Sequence, residues 1–476
     1  MATIQKRGRP AALATAGCLA ACALATGVHS QPAPPSAASG RDAKAETVMK
    51  VSAPFTVAAV GDILAPQPLA RSESGFRALI DRIRAADVGF GNLESTLVDF
   101  PRFGGPVAGS MAPLAGGRAL KDMGFTLVNT ANNHSFDGGL DAMLSTEQAL
   151  DALGVVHAGT GRNLQEARAA RFLETPKGRV GLVGIFAVDD VSFIGPRFAR
   201  TEATDRNGNL GGAPGVNTLH LINHHVLSAE QLQSLKQIAR AAYGDRPADA
   251  PRAEAGKPER FRFFENWYEA GPAPGALHYE MNPADERDIL RSVRNGKVAA
   301  DFLIVTIHAH QATLFREQGA GGVDHQTPDF LVRLAHECID AGADLFVAHG
   351  VHALHGVEVY QGKPIFYGVS NFIFQTGLQY GASDDVIANN QAAMENPASQ
   401  DGLLTTSRFE NGRLAEIRLY PVALGGTGRP ISQMGIPAVP TASEAQRILR
   451  SLQEYSRPFG TQIAIDDNVG VIRASR

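Results

Sequence analysis

The sequence predicts an α/β protein of mixed β-sheets flanked by helices. Three observations predict it. Short apolar runs of strand length alternate with helical periodicity along most of the chain. Two hairpin patterns in the last quarter add antiparallel strands to what is otherwise a parallel order. Finally, 50 Gly and 27 Pro among 476 residues mark many turns and loops.

Phe55–Val60 is an apolar run closed by Gly61, which reads as a buried strand. Phe76–Ala86 has helical spacing, and Asp87–Gly91 is a second short strand. Phe125–Asn129 is a third strand, and Leu140–Leu153 an amphipathic helix stopped by Gly154. Val155–Ala158 and Val180–Phe186 continue the alternation. Residues 190–281 are less regular, with Gly-, Pro- and Asn-rich pieces around a helix near Ala229–Ala242; they read as an insertion without a large core of its own. The order then resumes with a helix near Ala284–Asn295, a strand Phe302–Ile307, a helix Phe330–Ala341 and a strand Leu345–Ala348. Val357–Tyr360 with Pro364–Tyr367, and Leu403–Phe409 with Leu414–Tyr420, form hairpins across Gly-containing turns.

At 44% hydrophobic and 19% charged residues, the composition is that of a soluble globular protein. The formal charge of −4 excludes a dedicated nucleic-acid binder, which concentrates positive charge. Cys338 is the one cysteine beyond the first thirty residues, so no disulfide framework exists. Lys6, Arg7 and Arg9 precede an apolar run from Pro10 to Val28, the pattern of an export signal over residues 1–30. The expected product is periplasmic or extracellular. Val28-His29-Ser30 offers a cleavage site, whereas Leu19-Ala20-Ala21-Cys22 resembles a lipobox and would anchor the protein through Cys22. Residues 31–52 read as a flexible linker, 53–425 as the main domain and 426–476 as an extension packed on it.

Polar residues fall where strands end. Asp62 follows the first strand, Asn92 and Glu94 the second, and Asn132, Asn133 and His134 the third, with Asp137 close behind. His308 and His310 follow Phe302–Ile307, and His349, His352 and His355 follow Leu345–Ala348. In open α/β sheets ligands bind at the carboxyl ends of strands, so these loops are expected to converge. Any one Asp or Asn there is an ordinary helix-capping or turn residue. Five converging groups of carboxylates, amides and imidazoles are hard to bury without a cation. That donor set suits manganese, zinc, iron(II) or magnesium rather than a thiolate zinc site.

These motifs carry a family likeness. Gly61-Asp62, Gly91-Asn92-Leu93-Glu94, Ala131-Asn132-Asn133-His134 with Asp137, His308-Ala309-His310, Gly342-Ala343-Asp344, His349-Gly350-Val351-His352 and Tyr367–Phe372 occur in this order. The chain resembles the CapA-type proteins of poly-γ-glutamate capsule synthesis, themselves similar to calcineurin-like metallophosphoesterases. The resemblance implies a sandwich of two mixed β-sheets flanked by helices, with an insertion and antiparallel C-terminal hairpins. It implies metal ligands at Asp62, Glu94, Asn133, His308, His349 and His352, holding one or two divalent ions. It implies His134 as the group that protonates the leaving group or stabilises the transition state, oriented by Asp137. The implied activity is hydrolysis of a phosphoester or an amide bond in capsule or envelope-polymer metabolism. The implied partners are an anionic polymer or a small substrate, and membrane-bound synthesis components. The alternative is a metal-containing polymer-binding component of capsule assembly or export that turns nothing over.

Several features stand apart from the pattern. The phosphoesterases place a His two residues after the first Asp, where this chain has Leu64, so one metal position lacks a ligand. His310 and His355 are left open as ligands, supporting residues or substrate contacts. His224-His225 reads as a helix-start or surface pair, and His325 and His336 as structural. Gly159–Asn163 lacks the Lys-Ser/Thr of a phosphate loop and reads as a strand-to-helix turn. Phe261, Phe263, Phe264, Trp267 and Tyr268 read as packing for the insertion, or else as a lid.

Overall fold

The computed structural model describes residues 48–473 except 53, 65–73, 108, 190–211, 245–258, 265, 315–323, 376–396, 427, 431 and 432. The expected export signal and residues 31–47 of the expected linker lie outside the described residues.

The chain begins with β1 (Phe55–Leu64), α1 (Ser74–Ala85), β2 (Val88–Leu93), β3 (Thr96–Val98), β4 (Met111–Pro113), α2 (Leu114–Met123), β5 (Leu127–Asn129), α3 (Leu140–Leu153) and β6 (Val156–Ala158). Next come β7 (Thr160–Gly161), α4 (Leu164–Arg168), β8 (Arg171–Thr175), β9 (Gly178–Asp189), β10 (Gly215–Val216), β11 (Thr218–Leu227), α5 (Ala229–Tyr243), β12 (Arg260–Phe263), β13 (Asn266–Ala270) and β14 (Leu277–Met281). The remainder comprises α6 (Pro283–Ala299), β15 (Phe302–Ala309), α7 (Asp329–Asp340), β16 (Leu345–Gly350), β17 (Val357–Tyr360), β18 (Lys363–Phe366) and β19 (Asn371–Phe374). It closes with β20 (Asp401–Glu410), β21 (Arg413–Ala423), α8 (Ala442–Ser456), β22 (Ala464–Asp466) and β23 (Val469–Arg473).

Two large mixed sheets result, as the sequence predicts. The first has the order β22-β23-β21-β20-β1-β2-β5-β6, with β19 also on β1. Its β1, β2, β5, β6 and β19 are parallel, and β20 joins β1 antiparallel along Phe55–Ala59. The second has the order β12-β13-β11-β9-β15-β16-β18-β17, with β14 on β11 and β8 on β9. Strands β11–β14, from the segment expected to be an insertion, therefore lengthen the second sheet, and Leu219, Leu221, Leu277, Tyr279 and Met281 join its outer core.

The period-two alternation of each strand explains the layers. Phe55, Val57 and Ala59 of β1 share one core with Phe302 and Ile304 of β15 and Leu345 and Val347 of β16, so this core lies between the sheets. Ala58 and Val60 face the other way, onto Phe76, Leu79 and Ile83 of α1 and Leu120 of α2. Leu303, Val305 and Ile307 likewise face Ile289 and Val293 of α6 and Leu334 and Cys338 of α7. The arrangement is a helix–sheet–sheet–helix stack, closed at one end by the polar ends of the parallel strands.

Asp344 anchors the opposite end. It is fully buried, its Oδ2 accepts from Lys297 Nζ at 2.7 Å and from the Leu303 N–H at 2.9 Å, and Lys363 Nζ lies 3.0 Å from Oδ1. The Gly342-Ala343-Asp344 motif thus ties α6 and the start of β15 to the turn before β16. Removing one partner of a buried pair strands the other charge, which costs about 3–5 kcal/mol. Asp344→Ala is therefore expected to destabilise the protein by about that amount in urea unfolding. A loss under 1 kcal/mol would show that the two lysines are neutralised in some other way.

Candidate metal centre

The same alternation that builds the inner core also builds the site. In β15, inward-facing Phe302, Ile304 and Thr306 are followed by His308; in β16, Leu345 and Val347 are followed by His349. The two histidines are register partners on adjacent parallel strands. In β2 and β5, Phe90 and Leu127 are followed by Asn92 and Asn129, also paired in register. Each polar residue extends an apolar face toward the carboxyl end of its strand. Asp62 breaks this parity, since Phe55, Val57 and Ala59 face inward. A register shift between Ala59 and Asp62 turns Asp62 inward after all.

The sequence placed these residues in loops after the strands. In the structure Asp62, Asn92, His308 and His349 are the last residues or nearly so of the strands themselves. A strand ends where its hydrogen-bond ladder ends, not where its hydrophobicity does.

Two glycines permit the approach. A Cβ on Gly61 would lie 1.8 Å from the Ser370 carbonyl oxygen, which accepts the Asp62 N–H at 3.1 Å. Gly350, at φ +105, would put a Cβ 2.9 Å from the Ala309 nitrogen, and its N–H donates to Asp62 Oδ2 at 3.0 Å.

Asp62 sits at the centre. Its Oδ1 accepts from Asn92 Nδ2 at 2.8 Å and lies 3.2 Å from His349 Nδ1 and 3.6 Å from His308 Nδ1. Its Oδ2 lies 3.3 Å from His352 Nδ1. Burial alone would raise this carboxyl, but hydrogen bonds from His308, His349 and His352 outweigh it and hold the pKa well below the usual range. Glu94 is the opposite case. Burial first, then the charges of Asp62 and Asp137, push its pKa well above the usual value. Both carboxyl oxygens of Glu94 are buried without a hydrogen-bond partner. His308 Nε2 is 3.6 Å from Glu94 Oε1, and His134 Nε2 is 3.9 Å from it. Burial lowers His308 to about 3, so its imidazole is neutral and its lone pair available.

Asn92, which sequence reasoning grouped with Glu94 but gave no role, organises this cluster. It spans Asp62 and His308 (Nδ2 to His308 Nδ1 3.1 Å), while its Oδ1 accepts from Asn129 at 2.8 Å and Asn132 at 3.1 Å. Its position two residues after inward-facing Phe90 was the available signal. Asn133 is buried with its Oδ1 unpartnered. His134 Nδ1 lies 2.5 Å from Asp137 Oδ2, which also accepts the Ser110 N–H. His352 Nδ1 lies 2.7 Å from Asn371 Oδ1. Three sets of ligand atoms lie within common coordinating reach: Asp62, His308 and His349; Glu94, His308 and His310; and Asp62, Glu94 and His352. Among the described residues every such set comes from this one cluster. The buried orphan oxygens of Glu94 and Asn133, beside the neutral imidazole of His308, could hold a divalent cation.

Other histidines fall elsewhere. His355 is buried, with Nε2 donating to the Asp324 carbonyl at 2.8 Å, a core residue outside the cluster. His325 stacks on Tyr455 and His336 on Tyr360, the latter also bonded to Glu358. The His224-His225 reading as a helix-start or surface pair is wrong. Both lie in β11 and are buried, because β13 and β14 flank that strand on both sides. His224 lies against Trp267 and between Glu269 (3.8 Å) and Glu280 (3.6 Å). Phe263 and Phe264 pack on Tyr243 of α5, and Tyr268 on His225. Asn163 caps α4 by accepting the Glu166 N–H, so Gly159–Asn163 is a capped turn.

Back-to-back mixed sheets with carboxylates and imidazoles converging at their carboxyl ends define an α/β protein able to hold a metal ion. The sequence profile of the family described as bacterial capsule synthesis protein PGA_cap matches residues 56–376, and the chain belongs to that family. It is 35% identical over 467 residues to the uncharacterized protein y4sH of Sinorhizobium fredii, covering 91% of this chain and 96% of that one. It is 25% identical over 260 residues to the PGA biosynthesis protein CapA of Bacillus subtilis, covering 55% of this chain and 45% of the relative. A probable polyglutamine synthesis accessory protein of Mycobacterium tuberculosis, Rv0574c, is 24% identical over 385 residues, 80% of this chain and 75% of its own.

The electrostatics set a sign for metal binding. Burial and the charges of Asp62 and Asp137 make Glu94 hold its proton to higher pH than an exposed carboxyl, and a cation that binds there must displace that proton. Calorimetric titration with Mn²⁺ in buffers of different ionisation enthalpy is expected to show proton release on binding and an affinity that rises with pH, by up to roughly tenfold per pH unit below the Glu94 pKa. Glu94→Gln should flatten that slope. A wild-type affinity independent of pH and buffer would contradict the raised Glu94 pKa.

Proposed function

We propose that the chain is an exported, metal-dependent hydrolase that cleaves a phosphoester or amide bond in poly-γ-glutamate capsule or envelope-polymer metabolism. The observation that carries the reading is Glu94, a buried carboxylate with neither oxygen paired, among Asp62, His308 and His352. In this reading Asp62, Glu94, Asn133, His308, His349 and His352 hold one or two divalent ions, of Mn, Zn, Fe or Mg. When bound, such an ion supplies Lewis acidity and lowers the pKa of water toward neutrality.

The protein's own groups do the rest. Asp137 fixes the His134 ring by accepting from Nδ1, which turns Nε2 toward Glu94 and the cluster. Nε2 is then the atom that gives a proton to the leaving group. The Ser110 N–H on Asp137 holds the carboxylate in place for that task. Asn92 keeps Asp62 and His308 in one geometry through hydrogen bonds to both.

Export rests on Lys6, Arg7 and Arg9 before the apolar run, with Cys22 as the candidate lipid anchor. No helix among the described residues is long and apolar enough to cross a membrane. The polymer comes from the names of the Bacillus and Mycobacterium relatives, and an anionic polymer or membrane-bound synthesis partners follow from it. Leu64, where a phosphoesterase ligand is absent, favours a second reading: a metal-containing polymer-binding component without turnover.

Purified protein reconstituted with Mn²⁺ or Zn²⁺ is expected to hydrolyse a phosphodiester dye or a γ-glutamyl peptide, reversibly inhibited by chelator. His134→Ala should keep the cation and lose turnover by about 10²–10⁴-fold. Unchanged turnover in that variant removes the acid role from His134. A loaded wild type inert toward both substrate classes supports the second reading.

A further inference from the structure

The β12–β13 hairpin forms the outer edge of the second sheet and holds Phe261, Phe263, Phe264, Trp267 and Tyr268. Phe263 pairs with Asn266, so two residues make the turn, and Phe264 is the first of them. Its φ of +48 lies in the left-handed region, which such turns require and which Asn or Gly ordinarily supplies. A bulky side chain is strained there. Phe264 is nonetheless 66% exposed, and Tyr243 of α5 beside it is 50% exposed. The Phe264 ring centroid lies 5.5 Å from that of Tyr243 and 4.5 Å from that of Phe263. Backbone conformation and solvation both disfavour an aromatic at this tip. A residue that breaks both local rules points to a contact surface.

Size and charge decide the kind of contact. Two aromatic side chains of roughly 150–250 Å² each, exposed by half to two-thirds, present roughly 200–300 Å². Each partner in a stable protein interface gives about 800 Å². So small an area suits a layer that a tip can enter, not a rigid partner that it must match. Lys236 Nζ lies 6.0 Å from the centre of the Phe261 ring, and the Arg262 guanidinium 5.8 Å from that of Trp267. Arg240 is one helical turn before Tyr243. Against these three cations stand Glu259, which pairs with Lys236, and Glu265, next to Phe264 in sequence. Exposed aromatics set among Lys and Arg are the composition of an interfacial membrane contact.

We propose that the β12–β13 tip docks on an anionic lipid bilayer, with Phe264 and Tyr243 in the interfacial layer and Lys236, Arg240 and Arg262 at the headgroups. The topology gives this contact a consequence. β13 runs parallel to β11 with Trp267 opposite His224, whereas β9 ends with Asp189 opposite Leu221. The tip therefore lies beyond the carboxyl end of β9, on the edge of the sheet that carries His308 and His349. Docking brings that edge to the bilayer. An anchor at Cys22 leaves about 25 residues before Val48, a length that reaches at most about 90 Å and sets no orientation. The hairpin supplies the orientation. This inference goes beyond the hydrolase reading and does not depend on a metal.

Trp267 is the one tryptophan of the chain, so its fluorescence reports on the hairpin and not on attachment through the N-terminus. Full-length protein, with chelator and with Mn²⁺, is titrated with vesicles of phosphatidylcholine alone or mixed with phosphatidylglycerol, the acyl chains carrying bromine as quencher. Quenching is expected with the anionic vesicles, alike in chelator and in Mn²⁺. Phe264→Asn is expected to need about tenfold more lipid for half the quenching, the cost of withdrawing one aromatic from an apolar layer. Since Asn suits a left-handed φ, the melting temperature of this variant should equal or exceed that of wild type. No quenching in wild type, or undiminished quenching in the variant, would overturn the proposal. A clearly lower melting temperature in the variant would assign Phe264 to packing and overturn it as well. Equal quenching by neutral vesicles would overturn the anionic surface. Self-association in sedimentation that the variant loses, without quenching in wild type, would assign the tip to a second copy of the chain instead. None of these outcomes bears on the metal-dependent reading.

Discussion

Two carboxylates buried side by side between two β-sheets are the constraint on which the structure turns. Moving an ionised carboxylate out of water costs several kcal/mol even after relaxation, and a second one nearby adds repulsion. The protein resolves half of this problem with its own groups. Asp62 receives the amide of Asn92, the N–H of Gly350 and three imidazoles. Glu94 accepts no hydrogen bond, and burial with the charges of Asp62 and Asp137 raises its pKa. A fold that fully pairs one carboxylate and leaves its neighbour bare is prepared for a positive charge from outside.

The scaffold makes that arrangement at little local cost. Parallel strands bring their carboxyl ends to one edge, and alternation aims every second residue into the space between the sheets. Apolar residues fill that space along most of its length, and the last inward position of each of four strands is polar: Asn92, Asn129, His308 and His349. The exception is Asp62, which reaches the same space through a break in register. At the far end Asp344 with Lys297 and Lys363 shows the other way to bury a carboxylate, paired entirely from within.

Much of this was legible in the sequence because it depends on local pattern. The alternation of Phe55–Val60, Val180–Phe186 and Phe302–Ile307 with amphipathic helices such as Phe330–Ala341 gave the layered architecture. The ordered recurrence of acids, amides and imidazoles after those runs gave Asp62, Glu94, His308, His349 and His352 as one group. What stayed hidden depends on neighbours distant in sequence. His224 and His225 look exposed by composition, yet β13 and β14 cover them. His310 and His355 are equivalent by spacing, but one meets His308 and the other a backbone carbonyl of Asp324. Asn92 looks like a turn residue until Asn129 and Asn132 are seen to bond to it.

The central claim is that a cation belongs where these side chains meet. A crystal of the protein grown with Mn²⁺ or Zn²⁺, with diffraction recorded on both sides of that metal's absorption edge, tests it most directly. An anomalous peak is expected within bonding distance of Asp62 and Glu94 and of at least one of His308, His349 and His352. An empty cluster, or a peak found only at a remote acidic or histidine-bearing surface, would contradict it.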